Sequence, residues 1–258
     1  MKDSGIEWIG EIPDGWKVGK IKWMSDIYTG NSIPTEIKDT YNDSVDAVPY
    51  IATKDISLRS NHIDYENGIF IKNQDNSFKR APANSTLLCI EGGSAGRKIS
   101  FTNQEVAFVN KLCCFKPDGE NSKYIYYYLQ SPAFKSEFDL NISGLIGGVS
   151  IGLLKNHSIT IPPNKEQQKI ANFLDQKVSE IDHILEKTRE SIEEYKKYKQ
   201  SIITEAVTKG LNPNVEMKDS GIEWIGKIPK HWEIKRIKHI SQLNPNCKTT
   251  GLYDDSIV

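Results

Sequence analysis

Several things are missing from this sequence, and each absence removes a class of function. No stretch approaches the roughly 18 consecutive apolar residues of a membrane span. The opening carries Asp3, Glu7 and Glu11 and has no apolar signal core, which argues against secretion and for the cytoplasm. There are four cysteines, Cys89, Cys113, Cys114 and Cys247, and none form a C-x-x-C pair. This reads as reduced, mostly buried thiols rather than a zinc site or a disulfide framework. In a strand, adjacent Cys113 and Cys114 point to opposite faces. Excess charge of one sign is missing too: 33 Lys and Arg stand against 34 Asp and Glu. No global positive field announces a nucleic-acid partner, although a balanced total leaves room for a local basic face.

Catalytic signatures are equally scarce. No G-x-x-x-x-G-K-[ST] appears, so a P-loop nucleotide site is excluded, and no N-P-P-[YF] tetrapeptide of amino-methyltransferases appears. The five histidines (His62, His157, His183, His231, His239) are dispersed, without a serine or cysteine partner. "GGSAG" at residues 92–96 matches G-x-S-x-G, but a nucleophile elbow at Ser94 requires a helix after the serine. The residues that follow, "RKISF", read as a strand. A turn joining two strands is the expectation, with serine-hydrolase chemistry at Ser94 as the alternative. A nuclease-like Asp14 with "EIK" at residues 36–38 fails because Asp14 sits in a "PDG" turn and becomes Lys230 in the internal repeat described below.

What is present falls into three parts. Residues 1–163 read as a mixed α/β domain. Short apolar runs at 48–52, 86–90, 98–101, 106–115 and 157–161 predict strands. Residues 122–130 predict a helix. A second helix restarts at Ser131-Pro132, with serine as N-cap and proline in the first turn, and carries Phe134 and Phe138. At "IPPNKEQQ" the pattern changes. Asn164 is placed to cap a new helix, with Gln167 completing a variant capping box. No Gly or Pro interrupts residues 165–209, and Gly210 supplies the stop.

That helix, the part at residues 164–210, carries a seven-residue rhythm: Leu174, Val178, Ile181, Leu185, Thr188, Ile192, Tyr195, Lys199, Ile202, Ala206. Steps alternate four and three, and eight of the ten positions are apolar, which is a coiled-coil seam and not a broad core-facing stripe. Such a seam left alone in water exposes large apolar side chains, so a helical partner is expected. Nine basic and nine acidic residues lie between Lys165 and Lys209, a balance that suits a protein partner better than a phosphate backbone.

The third part, 211–258, begins with a linker and then repeats the start of the chain. "MKDSGIEWIGEIPDGW" at Met1 returns as "MKDSGIEWIGKIPKHW" at Met217, with thirteen of sixteen positions identical. The match continues loosely, "KVGKIKWMSDI" against "EIKRIKHISQL". A register of 216 residues reads as a tandem domain repeat, with one full period made of a globular domain plus a long helix. The apolar residues of the opening predict a packing role where each domain meets a helix.

These features resemble the specificity subunit of type I restriction-modification enzymes. The resemblance rests on "GIEWIGEIPDGW", on "GLIGGVSIGLLKNHSITIPPNKEQQKIANFLDQKVSEID", on the run to "SIITEAVTKG", and on the order of strand, "AGRKISF" turn and "VNK". It implies an α+β fold: a mixed α/β target recognition domain, similar to the DNA-binding domain of adenine methyltransferases of the TaqI type, followed by one long coiled-coil-forming helix. Family members carry two such units, whose helices pair antiparallel and set the distance between two DNA half-sites. This chain resembles a half-subunit with one recognition domain and the start of a second repeat, so a homodimer reading an inverted repeat is expected. Implied partners are double-stranded DNA, modification (methyltransferase) subunits and, through them, restriction subunits. The resemblance implies no catalysis and no cofactor in this chain, with S-adenosylmethionine, ATP and Mg²⁺ on the partner subunits. Within that picture Lys54, Arg59, Ser60, Asn61, Lys79, Arg80, Arg97 and Lys98 are the expected DNA contacts. Leu174, Val178, Ile181, Leu185, Ile192, Tyr195, Ile202 and Ala206 are the expected dimer seam. A coiled-coil scaffold with no DNA role is the other reading.

Overall fold

A computed structural model describes residues 1–117, 121–144 and 147–241. Cys247 and the end of the second repeat, at 242–258, lie outside the described residues. In chain order the strands of the first part are β1 (Lys2–Asp3), β2 (Glu11–Ile12), β3 (Lys17–Lys20), β4 (Ser25–Thr29), β5 (Ala47–Ile51), β6 (Phe70–Lys72), β7 (Arg80–Ala81), β8 (Thr86–Cys89), β9 (Ile99–Phe101), β10 (Val106–Phe108) and β11 (Leu112–Pro117). Then come α1 (Ser122–Tyr128), α2 (Pro132–Leu140), α3 (Ile151–Lys155), β12 (Ser158–Ile161) and α4 (Asn164–Lys209), followed by β13 (Met217–Asp219) and β14 (Lys227–Pro229). The fold is α+β. The chain forms two compact units, Met1–His183 and Ile184–Val258.

Two four-stranded sheets form the centre of the first unit. One has the order β6-β5-β10-β7, with β10 parallel to β5 and antiparallel to β7. The other, β4-β11-β8-β9, is antiparallel throughout. The apolar run expected as one strand at 106–115 is in fact two strands. The chain turns at residues 109–111, where the Leu112 N–H donates to the Val109 carbonyl at 3.1 Å, and passes from one sheet to the other. Both halves are buried, so the run is apolar on either side of the turn and its pattern hides the break.

Side-chain alternation does hold inside β11. Cys113 packs with Phe115, Phe134, Phe138 and Ile159 on one side of its sheet, while Cys114 packs with Phe108, Leu87 and Ile51 on the other. All three described cysteines are buried and free. Burial pushes the Cys114 thiol up to about 11 and raises Cys113 and Cys89 as well.

The Ser131-Pro132 start behaves as its residues demand. Ser131 Oγ accepts the Phe134 N–H at 3.3 Å, and Phe134 and Phe138 are buried. The short helix α3 was not legible beforehand; it uses the same device, with Ser150 Oγ accepting from the Leu153 N–H. Between them they enclose His157. Its ring packs against Phe134 with centroids 5.2 Å apart, and the residue is buried as part of the core.

The domain is closed by its ends. β12 pairs antiparallel with β3, matching Ser158 to Lys20 and Ile161 to Lys17. The opposite edge of β12 is covered by α1. Tyr128 donates its hydroxyl to the Ser158 carbonyl and Tyr124 donates to the Thr160 carbonyl, both at 2.8 Å. The tyrosine-rich "YIYYY" run therefore has a defined use, satisfying strand carbonyls that would otherwise be buried without partners.

Helix α4 starts differently from the expected capping box. The Pro163 carbonyl accepts the N–H groups of Glu166 and Gln167, at 2.8 and 3.0 Å, and the Gln167 side chain reaches back to the Pro162 carbonyl at 2.8 Å. Asn164 is already inside the helix. The prolines thus fix the entry, since they supply carbonyl acceptors and need no donor satisfied. Forty-six residues in α4 give about 69 Å at 1.5 Å per residue.

In the second unit the repeated opening keeps the conformation of the first. β13 and β14 pair Lys218 with Ile228, as β1 and β2 pair Lys2 with Ile12. Ser220 N–H donates to the Gly226 carbonyl at 2.9 Å, as Ser4 does to Gly10 at 3.0 Å. Their surroundings differ: Ile21 is fully buried in the first unit, whereas its counterpart Ile237 is 74% exposed. Among the described residues no helix is long and apolar enough to cross a membrane.

Candidate nucleic-acid interface

Six of the expected DNA-contact residues are brought together. Residues 53–63 form a loop closed by an antiparallel bridge between Ile56 and Ile63. Its base is set by Asp55, which is buried and accepts the Ala52 N–H at 2.8 Å. Its tip is turned by Ser57, whose Oγ accepts the N–H groups of Arg59 and Ser60 at 3.3 and 3.2 Å. Asn61 closes the turn with φ +53°, a left-handed conformation that asparagine tolerates better than most residues.

This loop is then tied to its neighbours. Lys98 donates its ammonium to the Thr53 carbonyl at 2.7 Å, Ser100 Oγ donates to the Asn61 carbonyl, and Asn61 Nδ2 donates to Gln130 Oε1 at 3.0 Å. Lys98 and Asn61 therefore serve first to hold the loop against β9 and the end of α1. Lys54, Arg59 and Ser60 are exposed along it, and Arg97, also exposed, stands beside Lys98. Loops held by a rigid frame while presenting cations and hydroxyls are suited to phosphate contact.

The "GGSAG" segment is a turn between β8 and β9. The Ser94 carbonyl accepts the N–H groups of Arg97 and Lys98, at 3.0 and 3.2 Å, and the strand β9 follows. No helix follows Ser94, so the elbow geometry that would activate its hydroxyl is missing. What the turn does is aim Arg97.

Lys79 and Arg80 belong to the other sheet, at β7. Lys79 is exposed. Arg80 is half-buried, and its Nη2 donates to the Lys72 carbonyl at 2.7 Å. The Arg80 carbonyl in turn accepts the Tyr28 hydroxyl at 2.6 Å. This guanidinium closes the turn between β6 and β7. An Arg80→Met variant is expected to lose about 1–3 kcal/mol of stability, the usual cost of unpairing buried acceptors from a charged donor. Urea denaturation checks this, and an unchanged midpoint would release Arg80 for ligand contact alone.

Three further polar residues were not singled out from the sequence: Asn31, Ser32 and Asn110. They gather around Lys79 through contacts between segments distant in the chain. The signal available was the long polar loop at 30–44, which has no periodicity to rank its residues.

The seam positions of α4 lie open. Ile181, Leu185, Ile192, Tyr195 and Ile202 are exposed, at 45–72% of their full surface, and Val178 is 38% exposed; Leu174 and Ala206 are half-buried. The apolar surface is wider than the expected seam. Phe173, Ile184 and Tyr198 are exposed as well, and at about 100° per residue they fall on one flank of it.

The fold thus joins two small sheets, with polar loops at their rims, to a long helix with an open apolar seam. Comparison with known proteins gives the family. The family model described as type I restriction modification DNA specificity domain matches residues 13–194, and the chain belongs to that family. The MjaIX type I restriction enzyme specificity subunit of Methanocaldococcus jannaschii is 27% identical over 256 residues, covering 90% of this chain and 53% of that protein. The MjaVIII specificity subunit of the same organism is 24% identical over 242 residues, covering 89% and 50%. The chain spans about half the length of the curated relatives it matches. Among solved structures, a chain from a type I R-M system studied for its assembly and conformational transition superposes with a TM-score of 0.63 at 21% identity, covering 78% of this chain and 48% of that one. The HsdS subunit from Thermoanaerobacter tengcongensis gives 0.54 at 22% identity, covering 78% and 47%. These two likenesses establish the fold.

Proposed function

We propose that this chain recognises double-stranded DNA as the specificity component of a type I restriction-modification complex, and that it does so as a homodimer. The observation that carries this reading is the joining of a specificity domain to a helix whose apolar seam has no cover among the described residues. Residues 1–163 form the recognition domain, 164–210 the spacer and dimerisation helix, and 211–258 the linker and opening of a second repeat. Two copies pair their helices antiparallel along Leu174, Val178, Ile181, Leu185, Ile192, Tyr195, Ile202 and Ala206. The resulting two-fold axis places one recognition domain at each end and selects an inverted-repeat site, because site symmetry mirrors protein symmetry.

The chemistry of the complex resides elsewhere. Modification subunits supply the methyl donor S-adenosylmethionine, and restriction subunits reached through them supply ATP- and Mg²⁺-dependent steps. This chain positions them on DNA. Lys54, Arg59, Ser60 and Arg97 contact phosphates, while Asn61 and Lys98 hold the loop that carries them.

A gel shift with duplex DNA, with and without a modification subunit, separates this function from that of a coiled-coil scaffold. Arg97→Glu is expected to weaken binding about tenfold at moderate salt and to flatten the salt dependence by about one phosphate contact. Unchanged affinity and slope would remove Arg97 from the interface. Binding that is absent under every condition would leave the scaffold reading.

A further inference from the structure

Where β4 leaves its sheet, the backbone runs against the end of β10 with no room between them. A β-carbon on Gly30 would lie 1.8 Å from the Phe108 carbonyl oxygen, so only glycine fits. The next residue is held from both sides. Asn31 N–H donates to that same carbonyl at 2.9 Å, and the Tyr50 hydroxyl donates to the Asn31 carbonyl at 2.7 Å. Tyr50 is a dependable donor, because burial pushes its phenol up to about 12.

The side chains are fixed as firmly as the backbone. Asn31 Oδ1 accepts the Lys79 N–H at 2.9 Å. Ser32 Oγ donates to Asn110 Oδ1 at 2.7 Å. Three separate segments meet here: the loop after β4, the residues leading into β7, and the turn between β10 and β11. The backbone N–H of Lys79 can only donate, which settles which end of the Asn31 amide is which, and Asn110 lies with its oxygen toward the Ser32 hydroxyl. Left over are three donors, Asn31 Nδ2, Asn110 Nδ2 and Lys79 Nζ. None of them has a hydrogen-bond or ion-pair partner among the described residues. Ser32, Lys79 and Asn110 are exposed.

Two held amides beside an exposed lysine, offering donors and with the amide oxygens engaged, select ligands that present acceptors. Of the four bases in the major groove, guanine alone presents two acceptors and no donor, N7 and O6; adenine and cytosine both present an amino donor, and thymine a single acceptor beside a methyl group. We propose that Asn31, Asn110 and Lys79 form a base-reading site that recognises a guanine edge in the major groove. The proposal deepens the DNA-recognition reading above and rests on it. It assigns a second role within the domain, distinct from the phosphate contacts of the loop at 53–63: that loop holds the duplex and this site reads it.

The decisive variants are Asn31→Asp and Asn110→Asp. Each keeps the shape and the acceptor oxygen that its neighbour needs, while turning the free donor into an acceptor. The full chain, alone and mixed with a modification subunit, would be used to select duplexes from a random pool, with thermal melting as a check on folding. The expected result is a parent motif containing guanine, and variants that lose preference for that guanine by about tenfold or more, with cytosine or adenine gaining. An unchanged motif in both variants would overturn the proposal. So would uniformly weaker binding with the motif intact, since that marks phosphate contact. A parent chain that binds duplex with no sequence preference would instead bring down the DNA-recognition reading itself, and the two failures are thereby distinguishable.

Discussion

Replacing Leu185 and Ile192 together by lysine is expected to halve the mass of the chain in solution. Both residues sit in the middle of the seam and are exposed within one copy, at 45% and 48%. In a symmetric helix pair each substitution counts twice, so four buried apolar side chains are lost. Each is already about half covered by its own helix, so roughly half of the 1.5–3 kcal/mol for a full burial applies, and the loss is at least about 3 kcal/mol. That is on the order of a hundredfold rise in dissociation constant. Four ammonium groups brought together on one seam would add repulsion. The recognition domain should be untouched, because the substituted side chains lie outside its core. Light scattering at micromolar concentration measures the mass, and circular dichroism reports whether α4 retains its helicity. A parent chain that is itself monomeric would refute the dimer, and a double variant that stays dimeric would place the interface elsewhere.

The second large effect is expected at Gly30. Gly30→Ala puts a methyl group 1.8 Å from the Phe108 carbonyl oxygen and 2.8 Å from the Phe108 ring. Neither neighbour is free to yield. Phe108 is fully buried in β10, between β5 and β7, and its carbonyl is engaged by Asn31. Backbone must therefore shift, and an overpacked site with no way to relax typically costs 1–3 kcal/mol or more. With the loss of the Asn31 and Tyr50 hydrogen bonds added, about 3–5 kcal/mol is expected. For a domain of this size that is a fall in Tm of roughly 10 °C. Calorimetry checks it. The same variant should impair sequence preference more than general DNA affinity, since Asn31 is displaced while Arg59 and Arg97 are not. A Tm within a degree or two of the parent would show that the approach of the two backbones is looser than described.

Not every part of this molecule was equally readable from its residues. The long helix was plain, because 46 positions without Gly or Pro, bounded by two prolines and Gly210, permit little else. The start of α2 was plain for the same kind of reason: Ser131 and Pro132 are local instructions. The entry to α4 was misread because two acceptors competed for the first turn, and the prolines' carbonyls were placed better than the Asn164 side chain. The run at 106–115 reads as one strand because burial on both faces erases the alternation that would have marked its turn; only Asn110 and Lys111 interrupt the apolar pattern. The family resemblance supplied the class of fold, but residue type alone could not rank the loop residues. Lys98 and Asn61 looked like free ligands, yet their partners, the Thr53 carbonyl and Gln130, lie 45 and 69 residues away in the chain. Asn31 and Asn110 looked ordinary for the converse reason, since their significance comes from being fixed beside each other and beside Lys79. Site geometry of this kind is long-range information.

The repeated opening carries a consequence for the order in which the molecule assembles. The same hydrogen bonds, from Ser4 to Gly10 and from Ser220 to Gly226, form beside a filled core in one place and beside exposed isoleucines in the other. Asp3 and Asp219 each accept the N–H of the following glycine turn, at 2.9 and 2.8 Å. The hairpin is thus specified by its own dozen residues. A contact that local closes in about 1–10 μs. The pairing of β3 with β12, by contrast, joins Lys20 to a residue 138 positions further on and must wait for a long loop to close. The repeated opening accordingly closes early and on its own, whereas β3, which follows it in the chain, gains its partner only when the last strand before the helix arrives.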